Sequence, residues 1–158
     1  MKRAGVFLIL TSMVFFGCKD PVTNRLSDVE QLELDLQKID NYLMENGITD
    51  TLIHPTKIRY TINKTGNGLS PRLSDPIRVS YTGRLLETGV VFDSNSSADL
   101  ILSQTILGWQ IMVQQMREGD QYTIYLPSFF GYADEGSPPT IPPNAVLIFD
   151  IELIRVGN

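Results

Sequence analysis

The sequence predicts an α+β fold, in which a leading helix precedes mostly antiparallel strands and one short internal helix. Two periodicities and the turn chemistry between them carry that reading. Apolar residues recur at helical spacing between Ser27 and Asn46 and again around Trp109, whereas from Thr56 onward the dominant period is two. The period-two runs are of strand length and are separated by stretches rich in Gly, Asn and Pro. At 158 residues the chain suits one domain with a real core.

In chain order, Lys2 and Arg3 form a basic head, followed by an apolar stretch from Ala4 to Gly17. That stretch is short of the roughly 20 residues a membrane span needs, and it suits a secretory signal. Cys18, the sole cysteine, follows it directly. The arrangement resembles a bacterial lipoprotein signal, with residues 1–17 removed and Cys18 diacylated as the first mature residue. Phe15 and Phe16 stand where a Leu and a small residue are usual, and a plain signal peptide with a spare thiol is the alternative. Loss of Lys2 and Arg3 would lower the formal charge of -5 by two more. Residues 18–26 are polar and read as a linker.

Ser27, with Glu30 three residues on, has capping-box spacing, and Leu32, Leu36, Ile39 and Leu43 form one apolar stripe ending at Asn46-Gly47. The helix therefore occupies 27–47. Its stripe packs on its own domain or on a second copy of itself, and the former is favoured. Ile58, Tyr60 and Ile62 then alternate with Lys57, Arg59 and Thr61 as a half-buried strand. Ile77, Val79 and Tyr81 share a face of the next one. Glu87-Thr88-Gly89 turns the chain, Val90 to Asp93 returns it, and a short strand is expected around Leu100 to Leu102. Trp109, Met112, Val113 and Met116 lie at helical spacing. Tyr122, Ile124 and Leu126 alternate up to Pro127. A Pro- and Gly-rich loop follows, and the last run, "AVLIFDIELIRV", is apolar on both faces, as a covered central strand should be. His54 reads as an exposed linker residue.

Composition excludes several classes of function. Apolar content of 42% and charged content of 20% are those of a folded protein. The acidic balance, with no basic cluster, argues against nucleic acid as a partner. One cysteine allows no intramolecular disulfide, one histidine leaves little for a metal site, and no nucleotide-binding glycine motif occurs. No cofactor is expected.

Five stretches together, "VSYTGRL", "FDS", "GW", "QMREGD" and "YLPSFFGYADEGSPPTIPPNAVLIFDIEL", resemble the FKBP-type peptidyl-prolyl isomerase domain, from about Ile58 to Val156. The upstream helix resembles leaders of lipoprotein members of that family. The resemblance implies an isomerase domain over 56–158, with an antiparallel sheet curled around one short helix and a pocket between them. It places Tyr81, Phe92, Asp93, Trp109, Tyr132, Ile141 and Phe149 in that pocket, with Ile106 contributing its backbone N–H. Trp109 would be the floor under the substrate proline, Tyr132 would donate to a substrate carbonyl, and Asp93 would accept from Tyr81. The prolines of the long loop would form a rigid cover over the pocket.

The implied activity is rotation of Xaa-Pro bonds in proline-containing polypeptides outside the cytoplasm. The implied setting is the envelope of a Gram-negative bacterium, periplasmic or outer-membrane, with a lipid anchor as the membrane contact. Macrolide inhibitors of the FKBP type are possible ligands. The alternative is a catalytically weak, tethered chaperone or binding module using the same pocket. Three departures point to modest turnover. The 94–103 segment is short and has Ala98 and Leu100 in place of phenylalanines. No Arg or Lys lies between Asp93 and Trp109, and Ser137 replaces an aromatic or histidine.

Overall fold

Ser27 caps the first helix in the way its spacing to Glu30 predicts. The computed structural model describes residues 27–157; the signal and linker readings, 1–17 and 18–26, lie outside them. Helix α1 (Asp28–Glu45) opens with a complete capping box, in which Ser27 N donates to the Glu30 carboxylate at 2.9 Å and Glu30 N donates to the Ser27 hydroxyl at 3.3 Å. It ends at Asn46, and Gly47 follows at φ +66°, a left-handed value that glycine adopts without a Cβ penalty. Leu36, Ile39 and Leu43 are buried, at about 1.5–3 kcal/mol each. The stripe does pack on its own domain.

Six strands form one sheet: β1 (Leu52–Ile53), β2 (Arg59–Lys64), β3 (Pro76–Leu85), β4 (Val91–Ile101), β5 (Gln121–Leu126) and β6 (Leu147–Val156), in the order β1-β2-β5-β6-β3-β4. All neighbours are antiparallel. β6 is flanked by β5 and β3, which explains its apolar character on both faces. One face gives Leu147, Phe149, Ile151 and Leu153 to a core around Trp109 and Met112 of helix α2 (Leu107–Met112). The other gives Ile148 to a second cluster, with Val146, Leu86 and Tyr125 packed under Ile39 and Leu43 of α1. The sheet is thus covered by α2 on one face and by α1 on the other. Arg59 clasps Asp40 of α1 with two bonds, of 3.0 and 2.9 Å.

Two strand readings change. In β2, Ile58 is buried and Tyr60 stacks on Tyr122 at 5.6 Å, but Ile62 is 40% exposed and Thr61 only 5% exposed. Thr61 lies on the α1 side, where a hydrogen-bonded chain runs from Thr61 through Asn63 and Thr123 to Asp150. Ile62 sits at a bulge near the strand end, where it is left partly open to solvent. The two pieces expected at 90–93 and 100–102 are one continuous strand, β4, with register shifts against β3. It is an edge strand exposed along most of its length, so it needs no apolar alternation to form. β1 was not expected at all; two residues leave no periodicity to read.

Candidate functional site

Alternation along β3 sends Ile77, Val79 and Tyr81 toward α2, and the next inward position is Gly83. A Cβ there would lie 2.7 Å from both the Phe149 and Phe92 rings. The missing side chain lets those rings meet. Phe92, Phe149, Trp109 and Tyr81 follow one another edge to face, with centroids 5.5, 5.4 and 5.1 Å apart, the arrangement that aromatic quadrupoles favour.

Above this row opens a cleft of about 370 Å³, lined by Tyr81, Phe92, Asp93, Leu100, Gln104, Thr105, Ile106, Trp109, Tyr132 and Phe149. Trp109 is 3% exposed, and its buried Nε1 has no hydrogen-bond partner among the described residues. Such an orphan costs about 1–3 kcal/mol. Ile106 is the N-cap of α2; its carbonyl accepts from Trp109 N at 3.0 Å, while its own N–H makes no hydrogen bond among the described residues.

The polar groups of the cleft converge. The Tyr81 hydroxyl donates to Asp93 Oδ2 at 2.7 Å. Burial first, and then the bond to Asp93, push the Tyr81 phenol up to about 12. Tyr132, 36% exposed, is also raised, by burial and then by the charge of Asp93. Among the described residues no arginine or lysine pairs with Asp93; of the two arginines on β3, Arg84 is committed to Asp150 and Arg78 to Asp99, the latter at 2.7 Å. No group of three or more His, Cys, Asp or Glu among the described residues is placed to hold a metal.

A pH test follows from these phenols. Tyr81 and Tyr122 both stand at about 12 when folded, against an ordinary value of 10. A raised value stabilises the fold fully below about pH 10, and the contribution is lost between about pH 10 and 12, as the unfolded chain ionises first. The urea midpoint should therefore be flat from about pH 7 to 9 and fall above about 10, less steeply in Tyr81→Phe. A midpoint that rises in that window contradicts the assignment.

Of the residues expected at the site, seven line the cleft. Ile141 does not: it is 4% exposed, in the core cluster, with its carbonyl accepting from Ser137 N at 2.8 Å. The proline loop does not cover the cleft either, and only its Tyr132 lines it. Pro142 and Pro143 line a separate groove with Leu34 and Lys38 of α1, because that stretch runs beside α1. Gln104 and Thr105 had no sequence signal beyond a polar stretch before a helix. They become wall because the Gln110 side chain reaches back to Thr105 O at 2.7 Å and holds the turn against the cleft.

Comparison with known proteins bears on this geometry. Residues 68–154 match the family model described as FKBP-type peptidyl-prolyl cis-trans isomerase. Over 126 residues the chain is 37% identical to the probable FKBP-type peptidyl-prolyl cis-trans isomerase FkpA of Neisseria meningitidis, covering 77% of this chain and 46% of that one. It is 33% identical to the outer membrane protein MIP of Legionella longbeachae, covering 87% of this chain and 61% of that relative. The chain thus spans about half the length of FkpA and under two thirds of MIP. Among solved structures, a peptidyl-prolyl cis-trans isomerase from Pseudomonas syringae superposes with a TM-score of 0.72 at 26% identity, covering 85% of this chain and 98% of that one.

Proposed function

The chain belongs to the FKBP-type peptidyl-prolyl cis-trans isomerase family, and on that premise we propose that it accelerates rotation of Xaa-Pro bonds in polypeptides outside the cytoplasm. The observation that carries the proposal is the floor of the cleft: a single tryptophan between two ring edges, with Asp93 and Tyr132 at the rim. Rotating a peptide bond costs about 18–20 kcal/mol, because resonance must be broken. The twisted amide is less dipolar than the planar one, so an apolar, water-poor wall costs it less desolvation. Only binding that favours the twisted form speeds the step. Asp93 adds negative charge near the carbonyl carbon, and Tyr132 donates to a flanking carbonyl. The chemistry requires no nucleophile, metal or cofactor.

Turnover is expected to be modest. Leu100 stands in the wall where the family resemblance implies an aromatic ring, and no described arginine or lysine pairs with Asp93 to orient it. The same features should loosen binding of FKBP-type macrolides. A protease-coupled assay on a short Xaa-Pro peptide should show a rate above the uncatalysed one, which takes tens to hundreds of seconds. Folded protein with no excess rate refutes the proposal. The thinned wall favours a second reading, a tethered chaperone or binding module, which would bind the peptide without accelerating it.

The reading extends to the cell envelope and to a lipid on Cys18. It is supported by the Lys2-Arg3 head, the apolar run ending at Gly17 and the directly following cysteine. One similar relative is an outer membrane protein by name. No helix among the described residues is long and apolar enough to cross a membrane. Labelling with a radioactive fatty acid should mark the protein and be lost in Cys18→Ala; label that persists in that variant excludes the anchor.

A further inference from the structure

We propose that Asp35 of α1 is a positioning residue for the Tyr132 hydroxyl, acting through Ser128; the proposal rests on the isomerase reading of the cleft. Asp35 lies beside the apolar stripe of α1 and is 0% exposed. A carboxylate buried there is costly unless its lone pairs are filled. They are filled by Gln31 Nε2 at 2.8 Å, Ser128 N at 2.7 Å and Ser128 Oγ at 2.6 Å. Two of the three donors belong to a single residue 93 positions away.

Ser128 is 1% exposed and opens the short 3-10 turn that leaves β5. Its carbonyl accepts from Gly131 N and from Ala133 N, both at 2.9 Å. These two amides flank Tyr132 on either side. Tyr132 is 36% exposed, so packing alone does not fix it. The backbone has to do so, and its anchor is Ser128, which α1 holds from behind. Further along, Gly136 N donates to Tyr132 O at 3.0 Å and Asn144 N to Ala133 O at 2.8 Å, which close the loop without tying it to the sheet.

Helix α1 lies wholly outside the 68–154 stretch that the family model matches. The leading helix would therefore be an integral part of this site and not a spacer before it. Buried carboxylates that fill a functional loop's donors hold it in one geometry, and small misplacement of a reacting group is expensive.

The test compares Asp35→Ala and Asp35→Asn with Leu43→Ala, a cavity on the same helix under Leu86 and Val146 and away from Ser128. Hydrogen exchange at Gly131 and Ala133 is read alongside kcat/KM, each variant also being made in a Tyr132→Phe background. Asp35→Ala should speed exchange at these two amides and lower kcat/KM about threefold to tenfold. Asp35→Asn, which keeps one acceptor oxygen, should recover part of both. In Tyr132→Phe the kcat/KM effect of Asp35→Ala should vanish, since the group being positioned is gone. Leu43→Ala should change neither readout selectively.

Unchanged exchange at Gly131 and Ala133 overturns the proposal, as does a loss of the same size in the Tyr132→Phe background. Wild-type protein without turnover would sink the isomerase reading. The exchange data would still decide whether Asp35 anchors the Tyr132 segment.

Discussion

Trp109→Ala is expected to remove the proposed isomerase activity and to cost about 3–5 kcal/mol of folding stability. The indole is 3% exposed and touches the rings of Tyr81 and Phe149 edge to face, so its loss opens a cavity and unsupports two cleft walls together. The stability cost has one offset, since the unpaired Nε1 goes with the ring. Activity is lost for a separate reason: the twisted amide then rests on water instead of an apolar plane, and the desolvation advantage disappears. Trp109→Phe separates the two effects. It keeps a flat apolar floor and most of the packing, so it should be more stable than alanine and retain part of the rate. Urea unfolding and the protease-coupled assay on both variants provide the measurement. A folded Trp109→Ala protein turning over at the wild-type rate would place the chemistry elsewhere.

The second large effect is expected from Asp93→Val. Asp93 is exposed and, among the described residues, its side chain holds only the Tyr81 hydroxyl, at 2.7 Å. Stability should therefore move by no more than about 0.5 kcal/mol, as for other surface changes. Catalysis should fall much further. Removing one electrostatic group aimed at the transition state costs up to about 2.7–4 kcal/mol, roughly 100- to 1,000-fold in rate. If the carboxylate acts on the twisted amide, the loss appears in kcat more than in KM. Asp93→Asn tells charge from orientation. It retains an acceptor for Tyr81, so a rate near wild type assigns the role to holding Tyr81, and a rate near that of the valine variant assigns it to charge. An Asp93→Val protein with unchanged kcat/KM would leave the carboxylate without a part in the proposed reaction.

Local chemistry made part of this protein legible. The ends of α1 follow from a capping serine, a glutamate three residues on and an Asn-Gly stop, each acting within one turn. β3, β5 and β6 follow from alternation, because each buries one face or both. Legibility failed where burial was absent or came from an unexpected side. β4 is polar through most of its length because it is an edge, and Thr61 is buried because α1 covers the far face of the sheet. Of the site, residues on strands and on α2 were readable through their motifs. Gln104 and Thr105 were not, since only the Gln110 side chain makes them a wall.

By itself the sequence determined most helical and strand segments, β1 and the middle of β4 excepted, which face of most of them is apolar, and that an aromatic set with one carboxylate was available for a site. Those properties depend on neighbours within a few residues. The tertiary structure alone decided that Ile141 belongs to the core, that Pro142 and Pro143 face α1, and that Asp35 meets Ser128 across 93 positions. The reason is that burial and hydrogen-bond partnership are set by whatever covers a residue in space, and no local period records that.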